Sequence, residues 1–172
     1  MVKNILMIVA PENYRDEELE EPKKAFIARG YEITIASKGA TTAKGMLGGS
    51  TTVDTDISQV KVEDYDVIVF VGGSGANVYF HDETAHNLAK NALSAGQILG
   101  AICIAPSTLA NAGLLEGKNA TAFSSEEQNL KEKGANFTGE EVTVDGKIVT
   151  ASGPSAAEEF GNKIISLLEE NK

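Results

Sequence analysis

Runs of apolar residues punctuated by glycine and proline divide this chain into alternating strand-like and helix-like segments. Asn4 to Val9 is a short apolar run with strand composition, Pro11-Glu12-Asn13 is turn chemistry, and Asp16 to Arg29 reads as a helix closed by Gly30. Tyr31 to Ser37 alternates as a strand and completes a βαβ unit. Lys44 to Ser50, holding Gly45, Gly48 and Gly49, predicts an irregular or hairpin excursion. Tyr65 to Val71 reads as a buried strand that runs directly into Gly72-Gly73-Ser74-Gly75. Asp82 to Ala95 is an amphipathic helix closed by Gly96, and the apolar run Gln97 to Ile102 stops at Cys103. Beyond it we expect a helix over Ile104 to Ala112, a strand over Ala120 to Phe123 and a helix over Ser125 to Lys133. Asp145-Gly146 joins the two alternating halves of Glu141 to Thr150, which predicts a hairpin with a type I′ turn. Gly153-Pro154 opens a last helix that ends near Glu169. Strands alternating with helices imply an α/β fold with a mostly parallel sheet covered on both faces.

Composition narrows the partners more than the fold. At 172 residues and 42% apolar content, the chain can bury one core and falls short of two ordinary domains, so residues 1–172 are expected to form a single domain. Fifteen basic against 25 acidic residues give a formal charge of -10, and only Arg15 and Arg29 carry guanidinium groups. No basic footprint for a phosphate backbone results, which argues against nucleic acid and against an anionic membrane as partners. The apolar run Ile5 to Ala10 is far below the roughly 20 residues of a membrane span and lacks signal-peptide flanks. One cysteine permits no internal disulfide, and we expect a cytoplasmic protein.

That cysteine is the foremost chemical candidate. Cys103 sits at a strand-to-helix corner, and Ala101 and Ala105 leave room for a tight turn like the nucleophile elbow G-x-S-x-G, which pushes the central side chain over the strand ends. A helix N-terminus favours thiolate, so a lowered thiol pKa is expected. The alternative is a buried cysteine that acts as a small hydrophobe. Gly73, after a strand, and Ile104, after the cysteine, offer backbone N–H groups for an oxyanion. The acidic run Asp16 to Glu21 is mostly explained by the helix dipole. Glu18 differs, because Pro22 and Ala25 share its face and Leu19 and Phe26 lie beside it. We expect Glu18 half-buried, with a raised pKa, able to donate a hydrogen bond to sulfur. His81 and His86 are spaced i, i+5 and do not place two ligands on one helix face. No metal cluster, G-x-G-x-x-G or Walker spacing is present, so no metal and no cofactor are expected.

Taken together, these motifs resemble the ThiJ/PfpI superfamily, which includes the PfpI intracellular proteases and the DJ-one type. The resemblance covers nearly the whole chain. It rests on Asp16-Glu17-Glu18-Leu19-Glu20-Glu21-Pro22, on Tyr65 to Gly73, on Ala101-Ile102-Cys103-Ile104-Ala105-Pro106, and on Asn111 to Gly117. It implies a flavodoxin-like three-layer sandwich, a homodimer or larger homo-oligomer, Cys103 as the reactive residue and Glu18 as its carboxyl partner. PfpI-type proteases carry histidine directly after the cysteine, where this chain has Ile104. The DJ-one type draws one from the strand after the elbow helix, and the best-matching position here is Phe123. The first expectation is therefore a reactive-cysteine stress-response protein, with Cys103 oxidised to sulfinate or acting on small carbonyls in glyoxalase or deglycase fashion. A PfpI-like cysteine protease or amidase is the second, and a non-catalytic dimeric chaperone or binding module the third.

Overall fold

In the computed structural model, which describes residues 2–170, the first strand shows how the sheet is covered. In β1 (Asn4–Ile8), Ile5 and Met7 enter the core on one face while Leu6 and Ile8 enter the core on the other, and all four are fully buried. A strand buried on both faces needs a continuous apolar run, which is what the sequence supplies. The chain continues through β2 (Glu12–Tyr14), α1 (Asp16–Ala28), β3 (Glu32–Ser37), β4 (Thr42–Gly45), β5 (Ser50–Thr52), β6 (Thr55–Asp56) and β7 (Val67–Phe70). Next come α2 (Glu83–Ser94), whose N-cap Asp82 accepts a hydrogen bond from the Ala85 N–H at 2.9 Å, then β8 (Ile98–Ile102) and α3 (Pro106–Asn111). The chain closes with β9 (Asn119–Ala120), α4 (Glu127–Glu132), β10 (Asn136–Phe137), β11 (Val142–Asp145), β12 (Ile148–Ala151) and α5 (Ala157–Glu170).

Seven strands form the central sheet in the order β11-β12-β8-β7-β1-β3-β6, parallel except for the edge strand β11. Helices α1 and α5 pack against each other over one face, and α2 and α3 lie on the other. This is the flavodoxin-like sandwich expected from the sequence. The chain leaves β1 toward β3 and β6, then returns to β7 on β1's opposite side. The topological switch therefore falls between β1 and β7, where ligands collect beyond the carboxyl ends of parallel strands. Among the described residues, no helix is long and apolar enough to cross a membrane.

Several local expectations need correction. Glu12 to Tyr14 is not a plain turn: Asn13 adopts φ 63°, and the segment still pairs with β4 through Glu12 and Tyr14, making a three-stranded sheet with β5. Asparagine tolerates that left-handed conformation better than most residues. Helix α3 starts at Pro106 rather than Ile104, because the turn at Cys103 takes up three residues first. The strand over Ala120 to Phe123 ends at Ala120. Beyond it, the Thr121 N–H donates to the Thr150 hydroxyl at 2.9 Å and the Phe123 N–H to the Cys103 carbonyl at 2.8 Å. Ser124–Glu126 forms a 3₁₀ turn ahead of α4. In the β11–β12 hairpin, Asp145 pairs with Ile148, so Gly146 and Lys147 are the central residues. Only Gly146 has positive φ, at 62°, which fits type II′ and not type I′.

Candidate active site

Three loops that leave parallel strands converge on Cys103, at the end of β8. Cys103 itself has φ 66°, a conformation costly for a residue with a Cβ and held here by two backbone bonds. Its N–H donates to the Ala151 carbonyl at 2.9 Å, and its carbonyl accepts from Phe123 at 2.8 Å. The strained turn is the elbow predicted from Ala101 and Ala105. Its side chain is not thrust out into solvent, however. Cys103 is only 8% exposed and lies against a cleft of about 230 Å³.

The loop after β7 explains why two glycines follow that strand. A Cβ on Gly72 would stand 2.3 Å from Glu18 Oε1 and 2.5 Å from both Cys103 Cβ and the Ile102 carbonyl oxygen. Glycine is what lets the carboxyl and the cysteine meet. Gly73, at φ 106°, brings its backbone against Asn13 and Arg15, and Arg15 N–H donates to the Gly72 carbonyl at 2.9 Å. The N–H groups of Gly73 and Ile104 both face the Cys103 sulfur. Among the described residues no backbone carbonyl takes either one, which leaves both directed at the sulfur.

Glu18 comes from the first turn of α1 and lies deeper than expected. It is 0% exposed, not half-buried, because its neighbours Leu19, Pro22 and Phe26 are all interior. Pro22, four residues on, has no N–H to give the Glu18 carbonyl, which loosens the helix at that turn. Neither carboxyl oxygen has a donor in full hydrogen-bonding geometry; the Cys103 side chain and the Gly72 amide approach it without completing a bond. Burial therefore dominates and pushes the Glu18 carboxyl up to about 8, against the pull of Cys103 and Arg15.

The expected lowering of the thiol is overturned. Helix α3 begins three residues beyond Cys103 and is only six residues long, so its dipole is a weak influence. Burial, and then the charge of Glu18, push the thiol up to about 12, while the Gly73 and Ile104 N–H groups pull it down. The two groups form one coupled pair. Below about pH 8 Glu18 keeps its proton, so the charge that opposes a thiolate is absent and a neutral carboxyl faces the sulfur.

The structure brings Cys103, Glu18, Gly73 and Ile104 to one place, and sequence reasoning missed much of the cleft around them. Arg15 lines it, with Nε and Nη2 each donating to Glu17 at 2.9 Å. Met46 reaches it from the β4–β5 hairpin, whose tip is fastened by Leu47 and Gly49 N–H groups donating to the Asp16 carboxylate at 3.0 and 2.8 Å. Asp16 thus anchors the hairpin, a role the helix-dipole argument did not reveal. Phe123 and Pro154 add apolar wall and Ser125 a hydroxyl. Neither histidine lines the cleft: His81 is exposed, and the His86 ring is 2.8 Å from the Phe80 carbonyl.

Comparison with known proteins agrees with this architecture. The model of the DJ-1/PfpI family matches residues 3–167. General stress protein 18 of Bacillus subtilis is 30% identical, over 95% of this chain and 97% of its own length. A deglycase of Pyrococcus horikoshii is 29% identical, over 96% of this chain and 99% of its own. The crystal structure of a ThiJ/PfpI domain protein from Brachyspira murdochii superposes with a TM-score of 0.96 at 37% identity, covering 98% of each chain.

Proposed function

The chain belongs to the DJ-1/PfpI family, and from that footing we propose that it is a reactive-cysteine stress protein whose Cys103 adds to small carbonyl compounds and is oxidised by peroxide to the sulfinate. One observation carries the reading: a strained cysteine faces a cleft with a protonated carboxyl beside it and two free amides aimed at it. In addition to a carbonyl, the sulfur–carbon bond forms as the carbonyl π pair moves to oxygen, and that oxygen takes up the proton the thiol gives up. The Gly73 and Ile104 N–H groups stabilise the developing oxyanion. In oxidation, peroxide supplies each oxygen and leaves as water, and Glu18 donates to the oxidised sulfur. The stress protein and the deglycase among the relatives support this reading.

Peptide hydrolysis is disfavoured, since Ile104 and Phe123 line the cleft where an imidazole would act as base. A missing general base typically costs about 10² to 10⁴ in rate. Mass spectrometry after mild peroxide tests the reading. We expect Cys103 to gain two oxygen atoms and the Glu18→Gln variant to accumulate a different oxidation state. An unmodified Cys103, with Glu18→Gln behaving identically, would defeat it.

A further inference from the structure

Among the described side chains lining the Cys103 cleft, Arg15 alone carries a charge. Its guanidinium is held in place by the paired bonds from Nε and Nη2 to Glu17, and it is 29% exposed against 37% for Glu17. Nη1 has no protein partner among the described residues. The Arg15 side chain and the backbone of Gly73 and Ile104 therefore border the same small space, with Nη1 left as the guanidinium nitrogen that Glu17 does not engage. The lining also offers an acceptor. Ser125 donates its hydroxyl proton to Glu126 Oε2 at 2.7 Å, and Ser107 holds Oε1 at 2.7 Å, so the Ser125 oxygen presents lone pairs.

A ligand for such a space is small and rich in acceptor oxygens. The volume of about 230 Å³ is that of roughly eight waters. A neutral aldehyde has no use for a guanidinium, whereas a carboxylate entering a protein of formal charge -10 needs a local cation to offset the repulsion. We propose that this cleft selects small 2-oxo acids, with Arg15 binding the carboxylate while Cys103 adds to the neighbouring carbonyl. The inference rests on the reading of Cys103 given above. The reacting carbon forms a bond to sulfur, its oxygen receives the thiol's proton by way of Glu18, and the product is a hemithioacetal with nothing oxidised. Arg15 is a substrate-binding residue in this scheme, and Glu17 positions it.

Glyoxylate and methylglyoxal, aldehydes of nearly equal size that differ in carboxylate against acetyl, test the proposal. We expect Cys103 to form its adduct with glyoxylate at about tenfold lower concentration. That preference should vanish in Arg15→Gln, through KM or Kd rather than through the rate at saturation, and return in part in Arg15→Lys. The Arg15 main-chain bond to Gly72 is untouched by either change. A second measurement is independent of thiol chemistry: oxalate, which forms no adduct, titrated into Cys103→Ser by NMR, should shift the Gly73 and Ile104 amides, and about tenfold more weakly once Arg15→Gln is added. Equal preference for the two aldehydes in wild type and Arg15→Gln overturns the proposal while leaving the reactive cysteine intact. If Cys103 reacts with neither aldehyde, the functional reading above fails. The oxalate titration then decides alone, with Arg15-dependent binding supporting anion selection and no binding overturning it.

Discussion

Two cavities lie at opposite ends of the sheet, and the larger one is the poorer place for chemistry. At the amino ends of the strands, a space of about 310 Å³ is lined by Lys3, Glu63, Asp66, Gln97 and Lys147 among others. Its polar groups are largely spent on the fold: the Asp66 carboxylate accepts from the Asn4 N–H at 2.9 Å, and Gln97 donates to the Val62 carbonyl at 2.6 Å. Among the described residues, only the Gln97 oxygen is buried there without a partner. At the carboxyl ends, the Cys103 cleft is smaller, but among the described residues no protein oxygen takes its two amides or Nη1 of Arg15, and beside Cys103 both oxygens of Glu18 are buried without a partner. Leaving a buried polar group unpaired costs roughly 1 to 3 kcal/mol, so the two Glu18 oxygens mark where stability has been given up for chemistry.

The largest expected effect that sharpens this contrast comes from Glu18. A carboxyl raised from its ordinary 4.5 to about 8 stays protonated in the native state while the unfolded chain has already ionised. The Glu18 contribution to native stability is then fully present below about pH 4.5 and is lost as pH rises to about 8, by on the order of a few kcal/mol. Glu18→Gln should flatten that slope and be more stable than wild type at pH 8, as urea titrations at pH 5 and pH 8 would show. A wild-type stability that rises across this interval would refute the buried neutral carboxyl.

Next in size is a gain of function. Phe123 lines the cleft and is 45% exposed, so Phe123→His places an imidazole there without a burial penalty. We expect Cys103 alkylation near pH 7 to accelerate by about 10²-fold, with a new inflexion near the ordinary histidine pKa. A smaller loss is expected from Gly72→Ala, whose new methyl would meet Glu18 Oε1 at 2.3 Å. Overpacking of this kind costs roughly 1 to 3 kcal/mol, and thermal melts should show it together with slower alkylation. Least of all should come from the other cavity: Lys147→Ala should change stability by no more than about 0.5 kcal/mol and leave Cys103 alkylation unaltered. A large effect there would erase the distinction between the two ends.

Periodicity and punctuation in the sequence were enough for the layers of this fold. Apolar runs such as Ile5 to Ala10 had to be covered on both faces, glycines closed the helices at Gly30 and Gly96, and small residues around Cys103 required a tight corner. Those features are local, since each depends on backbone sterics or on the burial of one segment. The composition of the cleft was not local. Arg15 was one charge beside an acidic run, Met46 belonged to a glycine-rich excursion, and Ser125 to an expected helix, and only folding brought them to one space. The state of the thiol was likewise beyond the sequence. Helix position alone argued for a lowered pKa, whereas burial and the Glu18 carboxyl raise it, because desolvation and charge proximity depend on what the whole chain packs around the sulfur.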